Sequence, residues 1–295
     1  MILGAGYTAS RVATQAIERG WEVIVTTREP ARLKHLSEQG ARVLRWDILS
    51  DDPDELSAHM NEHTTLLYSI PTLFRDDTQG AHMPHVRVLL ERAQARRVKH
   101  LIYLSSTSVY GDHSGARVTE DTPLAPTSAL GRMRRDIEQA FMSCEWARVT
   151  VARIVGIYGP GRTLFEYTQR GRYTLVDGGT KRTNRVHVED IVQSIWAMIQ
   201  RQGPSPRVFN VCDGHPVMVR DLVSFLVEHT SMPWPEEVSL EDYASTRDPN
   251  VVARWTNEYV CDSSRLTQEL GVELLYPNAL EGYRALLQQG AFESS

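Results

Sequence analysis

Cysteine is scarce: Cys144, Cys212 and Cys261 are the only three in 295 residues. They lie far apart and form no C-x-x-C pair, which excludes a disulfide framework and a zinc site and fits a reducing, cytoplasmic setting. Their expected role is that of small buried hydrophobes. No apolar run reaches the roughly 18 residues of a membrane span, and no signal-peptide pattern opens the chain. Neither sign of charge dominates: 32 Lys and Arg face 37 Asp and Glu, for a net charge of −5. With both signs interspersed, no basic face is offered to nucleic acid or to an anionic membrane. Internal repeats and low-complexity tracts are absent too. What remains is a chain long enough for a large core, as one large domain or two closely joined ones, with a small molecule as the expected partner.

The most informative stretch is the first. Met1, Ile2 and Leu3 run into Gly4-Ala5-Gly6, and Ala9, Val12, Ala13, Ala16 and Ile17 then recur at the spacing of one apolar helix face. Gly20 follows where a helix C-cap is expected. Strand, glycine turn, helix and strand are the context of a dinucleotide fingerprint, although the same glycines also suit an ordinary strand-to-helix turn. In the cofactor reading Gly4 permits the tight turn and Gly6 lets backbone approach a pyrophosphate. Ala9 keeps helix and strand close, and the first-turn N–H groups of Tyr7, Thr8 and Ala9 face the phosphates. The opening strand falls short of the usual five or six residues. Either it is short or residues precede Met1.

Strands are expected over 21–28, 41–46, 64–70, 98–104 and 147–155, with helical stretches between them; Pro30 opens one helix and Gly40 closes it. Such alternation predicts an α/β fold, a doubly wound parallel sheet of the Rossmann type, with ligands outside the carboxyl ends of the strands. Arg28 ends the second strand about twenty residues past the glycine turn. An acid there would bind a ribose 2′-hydroxyl, whereas an arginine accommodates a 2′-phosphate, so NADP(H) is preferred over NAD(H). Asp47, after the third strand, is either an adenine acceptor or a turn residue. Ser69 ends the fourth strand at the same sheet edge and joins the cofactor set.

The fifth strand ends in Ser105-Ser106-Thr107-Ser108-Val109-Tyr110-Gly111, and residues 126–138 begin Pro126-Thr127-Ser128-Ala129-Leu130-Gly131 and include Arg134 and Glu138. These stretches resemble the extended, and in particular the atypical, short-chain dehydrogenase/reductases, the family of epimerase/dehydratase-like proteins. Its pattern is S-S-x-x-V-Y-G, then P-x-S-x-Y-G-x-x-K with a glutamate four residues on. The resemblance places Ser106 at the catalytic Ser/Thr, with Ser105 beside it at the cofactor, and Glu138 at the glutamate. The catalytic tyrosine falls on Leu130, which transfers no proton. The lysine falls on Arg134, which retains a positive charge for the ribose or a phosphate. Further on, Arg153 and Tyr158-Gly159-Pro160 resemble the start of the family's substrate part, with Gly156 where an asparagine stands. The 182–191 segment resembles its V-H-V-x-D element, with Arg185 and His187 beside the pocket and Asp190 as an orienting residue. The likeness implies a dinucleotide domain over 1–155, rejoined by segments around 180–212, and a smaller C-terminal α/β substrate lobe over 156–295. It also implies a homodimer paired through helices of the dinucleotide domain.

Two functions follow. One is an NADP-linked oxidoreductase or epimerase-like enzyme with a substituted proton donor. Tyr110 is preferred for its place beside Ser106; Tyr158, His113, Tyr173 and His187 are the alternatives, and Tyr158, Arg185 and His187 also form the substrate set with Ser106. The other is a catalytically inactive NADP(H)-binding sensor or scaffold. Residues 231–235 and 236–254 read as loop, a lid or an interface.

Overall fold

A computed structural model of the chain describes residues 1–72 and 82–292. Its principal sheet contains β1 (Ile2–Leu3), β2 (Ile24–Thr27), β3 (Arg42–Arg45), β4 (Thr65–Tyr68), β5 (His100–Ser106), β6 (Arg148–Ile154) and β7 (Arg207–Val211). Their spatial order is β7-β6-β5-β4-β1-β2-β3. The ladders β1–β2, β2–β3, β1–β4 and β4–β5 are all parallel. The order reverses direction between β1 and β4, so β1 carries its glycine turn to the topological switch point, where doubly wound sheets bind ligands.

The helices of this fold are α1 (Tyr7–Glu18), α2 (Lys34–Glu38), α3 (Pro53–Ser57), α4 (His82–Ala95), α5 (Ala129–Met142), α6 (Leu164–Gln169) and α7 (Val188–Gln200), then α8 (Val219–His229), α9 (Leu240–Thr246), α10 (Pro249–Thr256), α11 (Ser264–Leu270) and α12 (Ala279–Gln288). Local chemistry sets their ends. In α1, Ala9, Val12, Ala13 and Ala16 form the buried stripe. The helix stops because Gly20 takes φ +77°, which lets Gly20 N donate to Ile17 O and Trp21 N to Ala16 O. Asp52 caps α3 and Pro53 fills its first position.

The chain divides into two units of nearly equal length. The first comprises Met1–Ser106, Ala129–Arg153 and Val192–Phe209. Its core is built from alternate sheet residues and helix stripes, with Tyr68, Tyr103 and Phe141 in mutual ring contact. The second comprises Thr107–Ser128, Ile154–Ile191 and Asn210–Ser295. It holds short strand pairs, such as Gly156–Tyr158 parallel to Arg185–His187, and a separate core around Tyr158, Phe165, Leu222 and Tyr283. The 1–155 boundary therefore needs amendment: 107–128 leaves the dinucleotide unit, and 192–209 is what returns to it. The second unit is the smaller by a few residues only. Residues 236–254, expected as loop, hold α9 and most of α10, neither with a fully buried residue. Their N-caps, Ser239 and Asp248, are ordinary helix starts set in a mostly polar sequence.

Candidate functional site

The first unit collects the cofactor candidates at the carboxyl ends of its strands. Gly4 sits at φ +81°, and a Cβ there would lie 2.8 Å from the Ile70 Cα, so only glycine fits. Thr26 pins the turn: its Oγ1 accepts from Gly4 N at 3.1 Å and its carbonyl from Ala5 N at 3.0 Å. Gly6 is exposed, and a Cβ on it would meet nothing within 4 Å. The backbone thus opens onto clear space at the N-terminus of α1, where the first-turn N–H groups emerge. Thr8 and Ala9 are buried beneath, so α1 lies tight against the sheet. Arg11 spans the first turn, donating to Tyr7 O at 2.8 Å with its guanidinium 4.1 Å from the Tyr7 ring centroid. Arg28 is exposed just past β2. This cradle fits a dinucleotide pyrophosphate. Thr26 and Arg11 were missed from the sequence, since nothing in linear spacing shows that a strand threonine buttresses a turn 22 residues away.

Asp47 closes a local turn, its Oδ1 accepting from Leu49 N at 3.0 Å, while Ser69 N pairs with Leu3 O at 2.8 Å. Ser106 ends β5 and is half-buried. Leu130 and Arg134 occupy the first two turns of α5, which packs on β5; the Arg134 charge acts on the buried Tyr103 hydroxyl.

Ser105 requires a correction. Its hydroxyl, expected at the cofactor, is buried and donates to Glu138 Oε1 at 2.5 Å. Arg153 donates to the other carboxylate oxygen at 2.8 Å from Nη2 and 3.1 Å from Nε. Three polar side chains from β5, α5 and β6 thus satisfy one another inside the unit, as buried charge demands. The resemblance marked Glu138 and Arg153 separately, but not as a pair.

In the second unit Tyr110 is corrected as the proton donor. It is wholly buried, and its hydroxyl donates to Asn210 Oδ1 at 2.7 Å. Asn210 in turn donates Nδ2 to Asp262 O at 3.0 Å, and its backbone N donates to Glu120 Oε1 at 2.8 Å. Tyr110 is thus one spoke of a buried polar hub. Tyr158 is likewise buried, stacked on Tyr283 with its ring end against Gly282 on α12, where a Cβ would be 1.9 Å from the hydroxyl. His187 is buried, accepting from Glu189 N on Nδ1 at 3.2 Å with its ring 3.9 Å from that of Tyr276. Both serve packing rather than an open pocket. Asp190 accepts from Leu275 N at 2.6 Å and Tyr276 N at 3.2 Å, an orienting role. Arg185 is half-buried beside Gly156. Among the described residues no cluster of ligating side chains holds a metal, and no helix is long and apolar enough to cross a membrane.

Comparison with known proteins agrees with this architecture. A solved structure from Silicibacter pomeroyi DSS, described as a functionally unknown conserved protein, superposes with a TM-score of 0.79 at 32% identity, over 99% of this chain and 98% of that one. Protein YeeZ of Escherichia coli K12 is 27% identical over 286 residues, 95% of this chain and 96% of its own. UDP-glucuronic acid 4-epimerase from Bacillus cereus, solved with UDP-glucuronic acid and NAD, shares the fold with a TM-score of 0.75 at 17% identity, over 98% and 99% of the two chains. The model of the NAD dependent epimerase/dehydratase family matches residues 1–212, which include the glycine turn, the 103–138 block and the Arg185–His187 strand. The chain belongs to the NAD dependent epimerase/dehydratase family.

Proposed function

We propose that the protein is a dinucleotide-dependent oxidoreductase or epimerase-like enzyme for a small hydroxyl or carbonyl compound of the sugar-nucleotide kind, and that it prefers NADP(H). The observation that carries this reading is the glycine turn: Gly4 has room for no side chain, and Gly6 exposes backbone to open space ahead of a 12-residue helix. Arg28, exposed after β2, supports a 2′-phosphate. When bound, the nicotinamide supplies hydride transfer. The chain supplies the rest. The N–H groups of Tyr7, Thr8 and Ala9 bind the pyrophosphate, Arg28 the 2′-phosphate, and Arg134 the ribose or a phosphate. Ser106 Oγ holds the substrate oxygen whose proton moves. The Bacillus cereus epimerase, with its UDP-sugar and NAD, supports the substrate class.

A specific pair of observations favours a second reading, a cofactor sensor without turnover: Leu130 stands where the tyrosine is expected, and the Tyr110 hydroxyl is spent on Asn210. Fluorescence titration separates the possibilities. NADPH is expected to bind at least tenfold more tightly than NADH, and Arg28→Ala to bring the ratio near one. Tighter NADH binding to the unaltered protein overturns the NADP assignment. Exchange of the NADPH hydride with UDP-sugars and simple carbonyls marks the enzyme; binding without exchange across the panel marks the sensor.

A further inference from the structure

The first turn of α1 carries charge of the wrong sign for a helix start. Its N-cap, Gly6, brings no side chain to the first-turn N–H groups, and the turn contains no acidic residue. A helix begins with partial positive charge, which acids normally offset. Here a cation stands beside it instead. Arg11 lies one turn into α1, half-buried like Tyr7. Its Nη1 donates to Tyr7 O at 2.8 Å, and its guanidinium carbon lies 4.1 Å from the centroid of the Tyr7 ring.

This placement has a direction. A long side chain near a positive helix end lowers its energy by swinging away into water, yet Arg11 is held at the first turn by a ring face and a carbonyl. The two contacts fix both the plane and one edge of the guanidinium, so little freedom is left to lose when it meets a ligand. The ground next to it is clear, since Gly6 is exposed and a Cβ there would meet nothing within 4 Å. An anion at Gly6 turns the repulsion between Arg11 and the helix end into a joint attraction. A planar guanidinium suits the paired oxygens of a phosphate better than it suits a single acceptor.

We propose that Arg11 is a cofactor-binding residue whose guanidinium, carried on the Tyr7 ring, grips the pyrophosphate received by the first-turn N–H groups of α1. The inference rests on the dinucleotide reading above and divides the work of recognition between two arginines. Arg28 reads the 2′-phosphate, which only NADP(H) carries. Arg11 reads the diphosphate bridge, which NADP(H) and NAD(H) share, so it sets affinity for the cofactor and leaves the choice between the two untouched.

The test uses the full chain, fluorescence titration with NADPH and NADH, and calorimetric titration with ADP and adenosine. Arg11→Ala is expected to weaken NADPH, NADH and ADP alike, by about tenfold or more, as loss of a charge-assisted contact implies. Adenosine affinity and the NADPH:NADH ratio should stay unchanged, whereas Arg28→Ala should alter that ratio. Arg11→Lys is expected to fall between, because it keeps the charge and loses the stacked, forked plane. Tyr7→Phe keeps both ring and carbonyl and should bind normally; Tyr7→Leu removes the platform and should weaken ADP severalfold. The melting temperature of cofactor-free Arg11→Ala should not fall, since the change removes a cation from a positive helix end. Undiminished ADP and NADPH binding by Arg11→Ala overturns the proposal, as does weakening of NADPH alone. A lowered melting temperature in the cofactor-free variant overturns it too, because Arg11 then serves the fold. Failure of the unaltered chain to bind NADPH, NADH and ADP is a different result: the dinucleotide reading falls, and the role of Arg11 with it.

Discussion

Asp213 illustrates how a single side chain couples this fold to pH. Burial pushes its carboxyl up to about 7 against the opposing pull of His215 N–H, the His215 ring, the Ala279 N–H and Arg185; Tyr158 and Cys261 also sense its charge. A carboxyl raised in this way binds its proton more tightly in the folded chain than in the unfolded one. Its stabilising contribution is fully present below about pH 4 and is lost as pH rises through about 7. Asp190, raised to about 6, acts in the same sense, while His100, lowered to about 3 by burial beside Arg148, acts oppositely. Since the whole-protein slope mixes these, a paired comparison isolates the residue. Asp213→Asn is expected to flatten the melting temperature between pH 4 and 7 relative to the unaltered chain, a difference of a few kcal/mol across the window. Parallel melting curves for the two proteins would show that Asp213 titrates normally. The Glu138–Arg153 pair matters through satisfaction: each charge is buried with the other as its partner.

At the scale of elements, the glycine turn divides into a residue that holds the fold and one that serves the ligand. Gly4→Ala places a Cβ against Ile70 backbone in a left-handed conformation, and a loss of at least ~2 kcal/mol is expected. Gly6→Ala adds a methyl group at φ −89° in open space, so stability should change by less than ~1 kcal/mol while cofactor affinity falls at least tenfold. Chemical denaturation and cofactor titration on both variants check this; loss of stability at Gly6, or unchanged affinity, would remove the phosphate role from the turn. This turn was the most legible part of the chain, because its signals are local: glycines, then an apolar stripe of period 3.6. The strands from Ile24 to Ile154 were readable for the same reason, since apolar runs bounded by glycine and proline need no distant information. The roles of Ser105 and Tyr110 were not legible. A hydroxyl near a motif looks the same in sequence whether it faces a ligand or a buried partner, and Glu138 and Asn210 stand 33 and 100 residues away from the hydroxyls they accept. The α9–α10 pair escaped for a different reason: both helices are short and neither contains a fully buried residue.

The whole molecule is woven from its two units. The chain passes between them after Ser106, Ser128, Arg153, Ile191 and Phe209, so neither unit is a continuous piece that folds from one segment. Three continuous elements, β6, α7 and β7, belong partly to each, with breaks at Arg153–Ile154, Ile191–Val192 and Phe209–Asn210. A helix or strand that melts in one unit therefore frays directly into the other, which couples their unfolding through the backbone itself. Cofactor bound by the glycine turn should consequently stabilise both units together. At a hundredfold excess over its dissociation constant it adds about 2.7 kcal/mol, which for a chain of this length raises the midpoint by about 4 °C. Differential scanning calorimetry is expected to show a single transition that shifts as a whole with NADP(H). Hydrogen exchange should slow under the same conditions in α8 and α12 of the second unit, although the proposed cofactor contacts all lie in the first. Two resolved transitions, with only one moving on cofactor addition, would show that the interleaved chain leaves the units thermodynamically independent, and that any message from cofactor to the second unit travels by some route other than shared elements.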